Sequence, residues 1–353
     1  MTVFSLFSPL RCVWWLVCAL LALGCQRDEA SASRSTAGSP EFERSSLRYQ
    51  GFAGMVTYPE LAEDLGYLAP IRLDYVGNTI SGPQDIQTVV TRDIDFGGAF
   101  NGAVIKLIAA KAPITAVIGY YGVDDNTWQG YYVLDDSPIR SARDFIGKKV
   151  AMNTIGAHQE FVLREYLARG GLTPEEIAQV TIVAVPPVSA ESSLRQRQVD
   201  VAVFASIMRD KALERGQIRC VFSDHDLFGK FTAGSYVFTN DFLRDNPKTA
   251  RRFVEATARA IEWARSSARE EVIARMQKII ERRGRNEDTS VTRYWRSTGV
   301  AGKGGLIQER EMQIWLDWLV KSGELKPNQL IPSALYTNEL NPFNAGSSQK
   351  GPA

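Results

Sequence analysis

Apolar residues along this chain follow two rhythms. Short runs that alternate or are continuously apolar are separated by longer stretches with apolar positions three and four residues apart. The first rhythm predicts strands and the second amphipathic helices. Strands are expected at residues 47–50, 71–76, 94–100 and 114–118, with helices at 59–65, from Pro83 onward and at 103–110. Pro83 suits a first helical turn, because the N–H it lacks would have no partner there. The pattern then restarts. Strands at 131–134, 149–152, 180–185 and 199–204 flank helices at 141–145, 158–169 and 190–197, and Gly170-Gly171 supplies a helix stop. A returning strand at 235–239 precedes three long helical runs at 247–265, 269–283 and 309–322.

Alternation of strand and helix predicts an α/β protein. The order implies two α/β units, the second inserted in the first: lobe one at 47–129 plus 235–343, and lobe two at 130–234. Chain crossings near Gln129-Gly130 and Ala233-Gly234 are expected to act as hinges.

The N-terminal segment follows neither rhythm. After Arg11, residues 12–23 are apolar, which is long enough for a signal core and short of the roughly 20 residues that span a bilayer. Ala22-Leu23-Gly24-Cys25 resembles the bacterial lipobox, which implies a signal peptide at 1–24 and diacylation of Cys25 as the new N-terminus. A Ser- and Ala-rich stretch at 25–46 reads as a flexible tether, and residues 344–353 read as a disordered tail. With Cys12 and Cys18 removed and Cys25 acylated, Cys220 has no cysteine partner. Its flanks, Ile218-Arg219 and Val221-Phe222, place it as a buried strand thiol.

Composition narrows the functional classes. Of 353 residues, 41 are Lys or Arg and 40 are Asp or Glu, giving a net charge of +1, so no basic footprint points to nucleic acid. The run Arg282, Arg283, Arg285 reads as a solvated helix end. His158 and His225 lie far apart and near no cysteine, so neither a metal nor any other cofactor is expected.

Several segments together resemble a known family. They are Pro59-Glu60-Leu61-Ala62-Glu63-Asp64-Leu65-Gly66-Tyr67, Asp93-Ile94-Asp95-Phe96-Gly97, the stretch from Asp136-Ser137-Pro138 through Phe145-Ile146-Gly147 to Val150-Ala151, Val199-Asp200-Val201-Ala202, and Phe242-Leu243-Arg244-Asp245-Asn246-Pro247. In this order they resemble the periplasmic proteins that bind aliphatic sulfonates, taurine and nitrate for ABC importers, a branch that includes binders of thiamine-precursor pyrimidines. The resemblance implies a bilobal type II periplasmic-binding fold joined by two hinge strands. It also implies an exported monomer that delivers a small molecule to an ABC permease, held to the bilayer through acylated Cys25.

In open α/β sheets a ligand sits beyond the carboxyl ends of the strands, where helix N-termini offer free N–H donors. That rule selects Gly51 and Phe52, Ser81 and Gly82, Phe100 and Asn101, and the lobe-two loop Asn153, Thr154, Gly156, Ala157 and His158. Thr154 is the expected N-cap of the helix after that loop. Phe52, Phe100 and Phe204 are candidate cleft walls or core. These loops hold no Lys or Arg, so an organic anion (sulfonate-, taurine- or nitrate-like) and a neutral heterocycle, such as a pyrimidine or flavin-type precursor, remain open. Two other classes share the fold: a pyrimidine-synthase-like enzyme, whose clustered Cys motif is missing here, and a ligand-sensing domain. No Gly-x-Ser-x-Gly elbow is present for a hydrolase, and His225 in Ser223-Asp224-His225-Asp226 reads as a polar loop residue.

Overall fold

The computed structural model describes residues 41–344. Cys25, the leader, most of the tether and the rest of the tail lie outside them. Residues 41–46, expected as the end of the tether, are docked. The Glu43 carboxylate accepts from Thr249 N at 2.9 Å and Lys248 N at 3.3 Å, capping a helix start, and Arg44 Nε donates to Asn246 Oδ1 at 3.2 Å.

The chain runs β1 (Ser46–Gly51), α1 (Tyr58–Asp64), β2 (Arg72–Asn78), α2 (Gly82–Val90), β3 (Gly97–Phe100), α3 (Asn101–Ala109) and β4 (Ile114–Val123). It then crosses to β5 (Gln129–Leu134), β6 (Lys149–Met152), α4 (His158–Arg169), α5 (Pro174–Ile177), β7 (Thr181–Ala184), α6 (Pro187–Arg195), β8 (Val201–Ala205), α7 (Ser206–Glu214), β9 (Ile218–Ser223) and α8 (Asp224–Phe228). β10 (Phe231–Thr239) returns, followed by α9 (Asn240–Asp245), α10 (Pro247–Ser266), α11 (Arg269–Arg282) and α12 (Glu309–Lys321).

Three sheets result: β1 parallel to β2, β3-β10-β4 with antiparallel pairs, and the mixed sheet β7-β6-β8-β5-β9. All nine residues of β10 are buried, as a central strand covered on both faces requires. The crossings run through 124–128 and 224–230, not at the expected glycines. Gly130 lies inside β5, and Gly234 lies inside β10, where an added Cβ would sit 2.0 Å from the Tyr121 ring. These glycines admit close packing rather than rotation. β4 runs on to Val123, well past the expected end at residue 118. Cys220 does occupy a strand, but β9 is a sheet edge and the residue is exposed rather than buried.

Two seams join the lobes beside the crossings. On one flank α12 lays Trp315, wholly buried, against Phe161 of α4 with ring centroids 4.5 Å apart, and Trp318 lies 5.2 Å from the same ring. On the other flank α7 meets residues 293–296 through charge: Arg296 Nε to Asp210 at 2.7 Å and Arg293 to Glu214 at 3.0 Å. Arg209, 2% exposed, pins the first crossing by donating to Asn126 O at 2.9 Å while its guanidinium lies 3.8 Å from the Trp128 ring.

The arginine run is not a solvated helix end. The Arg283 side chain is 7% exposed and pairs with Glu60 at 2.7 Å and Glu287 at 3.1 Å, both also buried. Glu60 further accepts from Tyr49 Oη at 2.6 Å and Thr57 N at 2.8 Å, and Arg283 donates to Met55 O at 2.9 Å. Only Arg282 matches the expectation of solvent, and it still reaches Asp64 at 2.7 Å. Glu60 lies more than 200 residues away in the chain, so no local pattern announces it, although Glu287 is only four residues on. Removing one member of a buried pair leaves an uncompensated charge. Arg283→Met is therefore expected to cost about 3–5 kcal/mol in urea unfolding; a loss under about 1 kcal/mol would show that this network does not hold the fold.

Candidate functional site

A cavity of about 770 Å³ lies between the lobes. Lobe one supplies Ala53 and Gly54 after β1, Tyr75 and Asn78 of β2, and the segment from Arg285 to Val291. Lobe two supplies Pro187, Val188 and Glu191 of α6, Phe204 of β8, Met208 and Lys211 of α7, and Arg215 just past its end. The cavity thus sits at the carboxyl ends of β1, β2, β7 and β8, the edge that the strand-end rule selects. Arg283 is what positions its lobe-one wall, since Glu287, its partner, also accepts from Gly54 N at 3.4 Å.

The expected site residues are spread unevenly around this space. Gly51 is the last residue of β1, and with Phe52 it leads directly into the cavity wall at Ala53. Phe204, a candidate wall, lines it. Ser81 and Gly82, at the start of α2, do not line it, and Ser81 makes no side-chain cap. Gly82 instead packs tightly, with a Cβ there falling 2.8 Å from Ala99 Cα. Phe100 is core, 5.3 Å from the Trp315 ring. Asn101 is fully buried and spends its amide on Thr232 O at 3.3 Å and Ser235 Oγ at 2.8 Å.

In the lobe-two loop the N-cap of α4 is Ala157, not Thr154. Side chains of the first helical turn take up the loop's own donors: Asn153 N reaches Gln159 Oε1 at 2.8 Å, and Gly156 N reaches Glu160 Oε2 at 2.7 Å. An acid already stands at this helix N-terminus, where a bound anion was expected. Asn153 is exposed, and Thr154 and Gly156 are half-buried.

His158 points inward to the crossings. Its Nδ1 is 2.8 Å from Gln129 Nε2 and its Nε2 is 3.5 Å from Asp224 Oδ2, while the Asp224 carboxylate also takes Gln129 N at 2.9 Å. Gln159 Nε2 closes the knot on Gln129 Oε1 at 2.8 Å, and the rings of Phe231 and Trp315 enclose the imidazole. Burial pushes the His158 pKa down to about 3 and the Asp224 pKa up to about 7. Between those two values the arrangement is a neutral imidazole beside a protonated carboxyl, and the carboxyl ionises as pH rises through about 7.

Residues that the loop rule passes over are those that charge the cavity: Lys211, Arg215 and Arg285. None is on a loop after a strand. Arg215 pairs with Glu191 at 3.0 Å, and Arg285 lies flat on Tyr75, 3.2 Å from the ring centroid. The signal that could have found Arg285 is its place two residues beyond Arg283, just past a helix that ends in a Gly turn at Gly284.

Three sheets flanked by helices, in two lobes crossed twice by the chain and enclosing a cavity, define a bilobal periplasmic-binding fold. The sulphonate-binding protein SsuA from Escherichia coli is similar over 84% of this chain and 92% of its own, with TM-score 0.64 and 19% identity. The nitrate-binding protein NrtA from Synechocystis PCC 6803 is similar over 85% of this chain and 88% of its own, with TM-score 0.64 and 15% identity. The desulfurization enzyme DSZB shares the fold over 84% of this chain and 97% of its own, with TM-score 0.57 and 16% identity. A search of curated proteins finds no match. The description "NMT1/THI5 like" matches residues 61–271, more than half of the chain, and the chain belongs to that family.

The crossing knot makes a pH-dependent prediction. The folded-state pKa of Asp224 is raised, so its contribution to stability is complete below the unfolded value near 3.8 and is lost as pH rises through about 7. Asp224→Asn removes that dependence. Urea unfolding at pH 5 and pH 8 is expected to show the variant gaining on wild type at the higher pH by at least roughly 1 kcal/mol. A difference that does not change with pH would refute a protonated Asp224.

Proposed function

We propose that this chain is the solute-binding component of an ABC importer, capturing a small organic anion or heterocycle between its lobes and delivering it to a permease. The observation that carries this is the cavity of about 770 Å³ walled by both lobes at strand carboxyl ends. Its size suits a small organic guest. SsuA and NrtA, named for binding a sulphonate and nitrate, share the fold. The moving bodies are lobe one and lobe two, joined through the crossings at 124–128 and 224–230.

Gly51 and Phe52 form the floor of the proposed binding site. The loops holding Ser81 and Gly82, and Asn153, Thr154, Gly156 and Ala157, form its lips. Ile80 and Ile155 support this, since at 84% and 56% exposed they are large apolar tips left in water. Phe100, Asn101 and His158 support the lips from beneath. A binder is favoured over an enzyme because SsuA and NrtA, both named for binding, share the fold.

The exported, lipid-anchored form is part of the same proposal, as are the monomeric state and the permease as partner. It is supported by the Cys25 context and by the absence, among the described residues, of any helix long and apolar enough to cross a membrane.

Two measurements test the reading. Calorimetry against alkanesulfonates, nitrate, pyrimidines and flavins should find a saturable ligand, with a smaller radius of gyration in small-angle scattering on binding. Heat and scattering that stay flat across the panel would leave an interaction module as the better account. Mass spectrometry of protein from bacterial membranes should show an acylated Cys25 at the mature terminus; a terminus elsewhere without lipid would remove the anchor.

A further inference from the structure

A row of hydrogen bonds runs from the lobe-two loop to the crossings, and its first donor fixes the sense of every bond in it. Asn153 N–H is a backbone donor and cannot be reversed, so the Gln159 atom 2.8 Å from it is the amide oxygen. That turns Gln159 Nε2 toward Gln129, whose amide oxygen accepts at 2.8 Å. Gln129 Nε2 in turn stands 2.8 Å from His158 Nδ1 and donates to it. Burial keeps the imidazole neutral, so with Nδ1 accepting, its single proton sits on Nε2. Nε2–H then faces Asp224 Oδ2 at 3.5 Å, too long for a full bond, and among the described residues neither atom has a hydrogen-bond partner. Asp224 Oδ1 takes Gln129 N at 2.9 Å, so the row ends where the first and second crossings touch. An amide in the middle of such a row cannot turn round alone. Each turn would set donor against donor at one end and acceptor against acceptor at the other, leaving buried groups unsatisfied.

We infer that Gln159, Gln129 and His158 are positioning residues forming a directional relay, through which the Asn153 loop sets the proton position on His158 and the hold of both crossings at Asp224. The inference rests on the solute-capture reading, in which that loop is a lip of the binding site. A guest group that accepts from Asn153 N–H displaces Gln159 Oε1 and frees the row to reverse. His158 then carries its proton on Nδ1 and turns a bare Nε2 to Asp224. One proton leaves Nε2 and one reaches Nδ1, exchanged with water that enters as the row opens, so the ring stays neutral. Glu160 accepts from Gly156 N at 2.7 Å in the same loop but lies outside the row, which makes it the control.

The test is heteronuclear NMR on the full chain with the histidine ring nitrogens labelled. The chain has two histidines, and H225N assigns the other signal. Wild type should show His158 protonated at Nε2 and bare at Nδ1. Q159E keeps an acceptor for Asn153 N but offers Gln129 a second one, so the His158 proton should move to Nδ1. Q159M cuts the row, and both tautomers should appear; E160Q should leave the proton on Nε2. Amide deuterium exchange at residues 224–230 should rise about 10-fold in Q159M and stay within about 2-fold of wild type in E160Q. Circular dichroism melting checks the fold; if Q159E does not fold, Q159M decides. Wild type protonated at Nδ1, an unchanged tautomer in folded Q159E or Q159M, a proton moved by E160Q, or crossing exchange unaltered in Q159M would each overturn the inference. None of these readouts needs a guest, so their failure leaves solute capture standing. A ligand panel that finds no solute removes the guest's part and leaves the relay itself to be decided by the spectra.

Discussion

The Glu60–Arg283–Glu287 chain of charges is the constraint on which the binding face depends. It joins the start of α1 to the segment after α11, and both ends of it carry cavity wall: Gly54 on one side and Arg285 through Val291 on the other. A buried ion pair is not by itself strong evidence of stability, because desolvating the two ions offsets most of their attraction. Here its value is positional. Two loops with little packing of their own are held at fixed separation by a rigid, five-donor guanidinium, which a lysine at that place could not imitate.

The crossing region works by a different principle. Gln129, His158, Gln159 and Asp224 tie the two crossings together by hydrogen bonds in a space where ionised groups would be costly. Keeping the pair neutral lets the aromatic rings of Phe231 and Trp315 close over it. One apolar cluster runs continuously from Ile86 and Phe100 through Phe161 to Trp315, so the lobes share a core on this flank. The cavity lies on the other flank.

Much of the fold is legible in the sequence because its signals are local. The helix at 158–169 is expected and found with those bounds, as Gly170-Gly171 and the apolar spacing require, and the long helices α10, α11 and α12 differ from expectation by one residue at most. What the sequence hides is set by distant partners. Helix α7 is not among the expected elements; in the structure its Arg209 and Asp210 are buried against the first crossing and residue 296. The same blindness turned Arg283 into a surface residue. Strand-end logic points to the edge of the molecule where the cavity lies, but it cannot say which way a side chain turns, and Asn101 and His158 do not face that mouth.

The two seams beside the crossings differ in kind: Trp315 on Phe161 is oil, while Arg293 on Glu214 is an exposed ion pair and Arg296 reaches from solvent to the buried Asp210. Added electrolyte screens the second and, for strongly hydrated salts, tightens the first. Osmotic conditions outside a cell therefore act on the two flanks in opposite senses. A molecule built this way carries a mechanical bias that its surroundings can tilt without touching the guest.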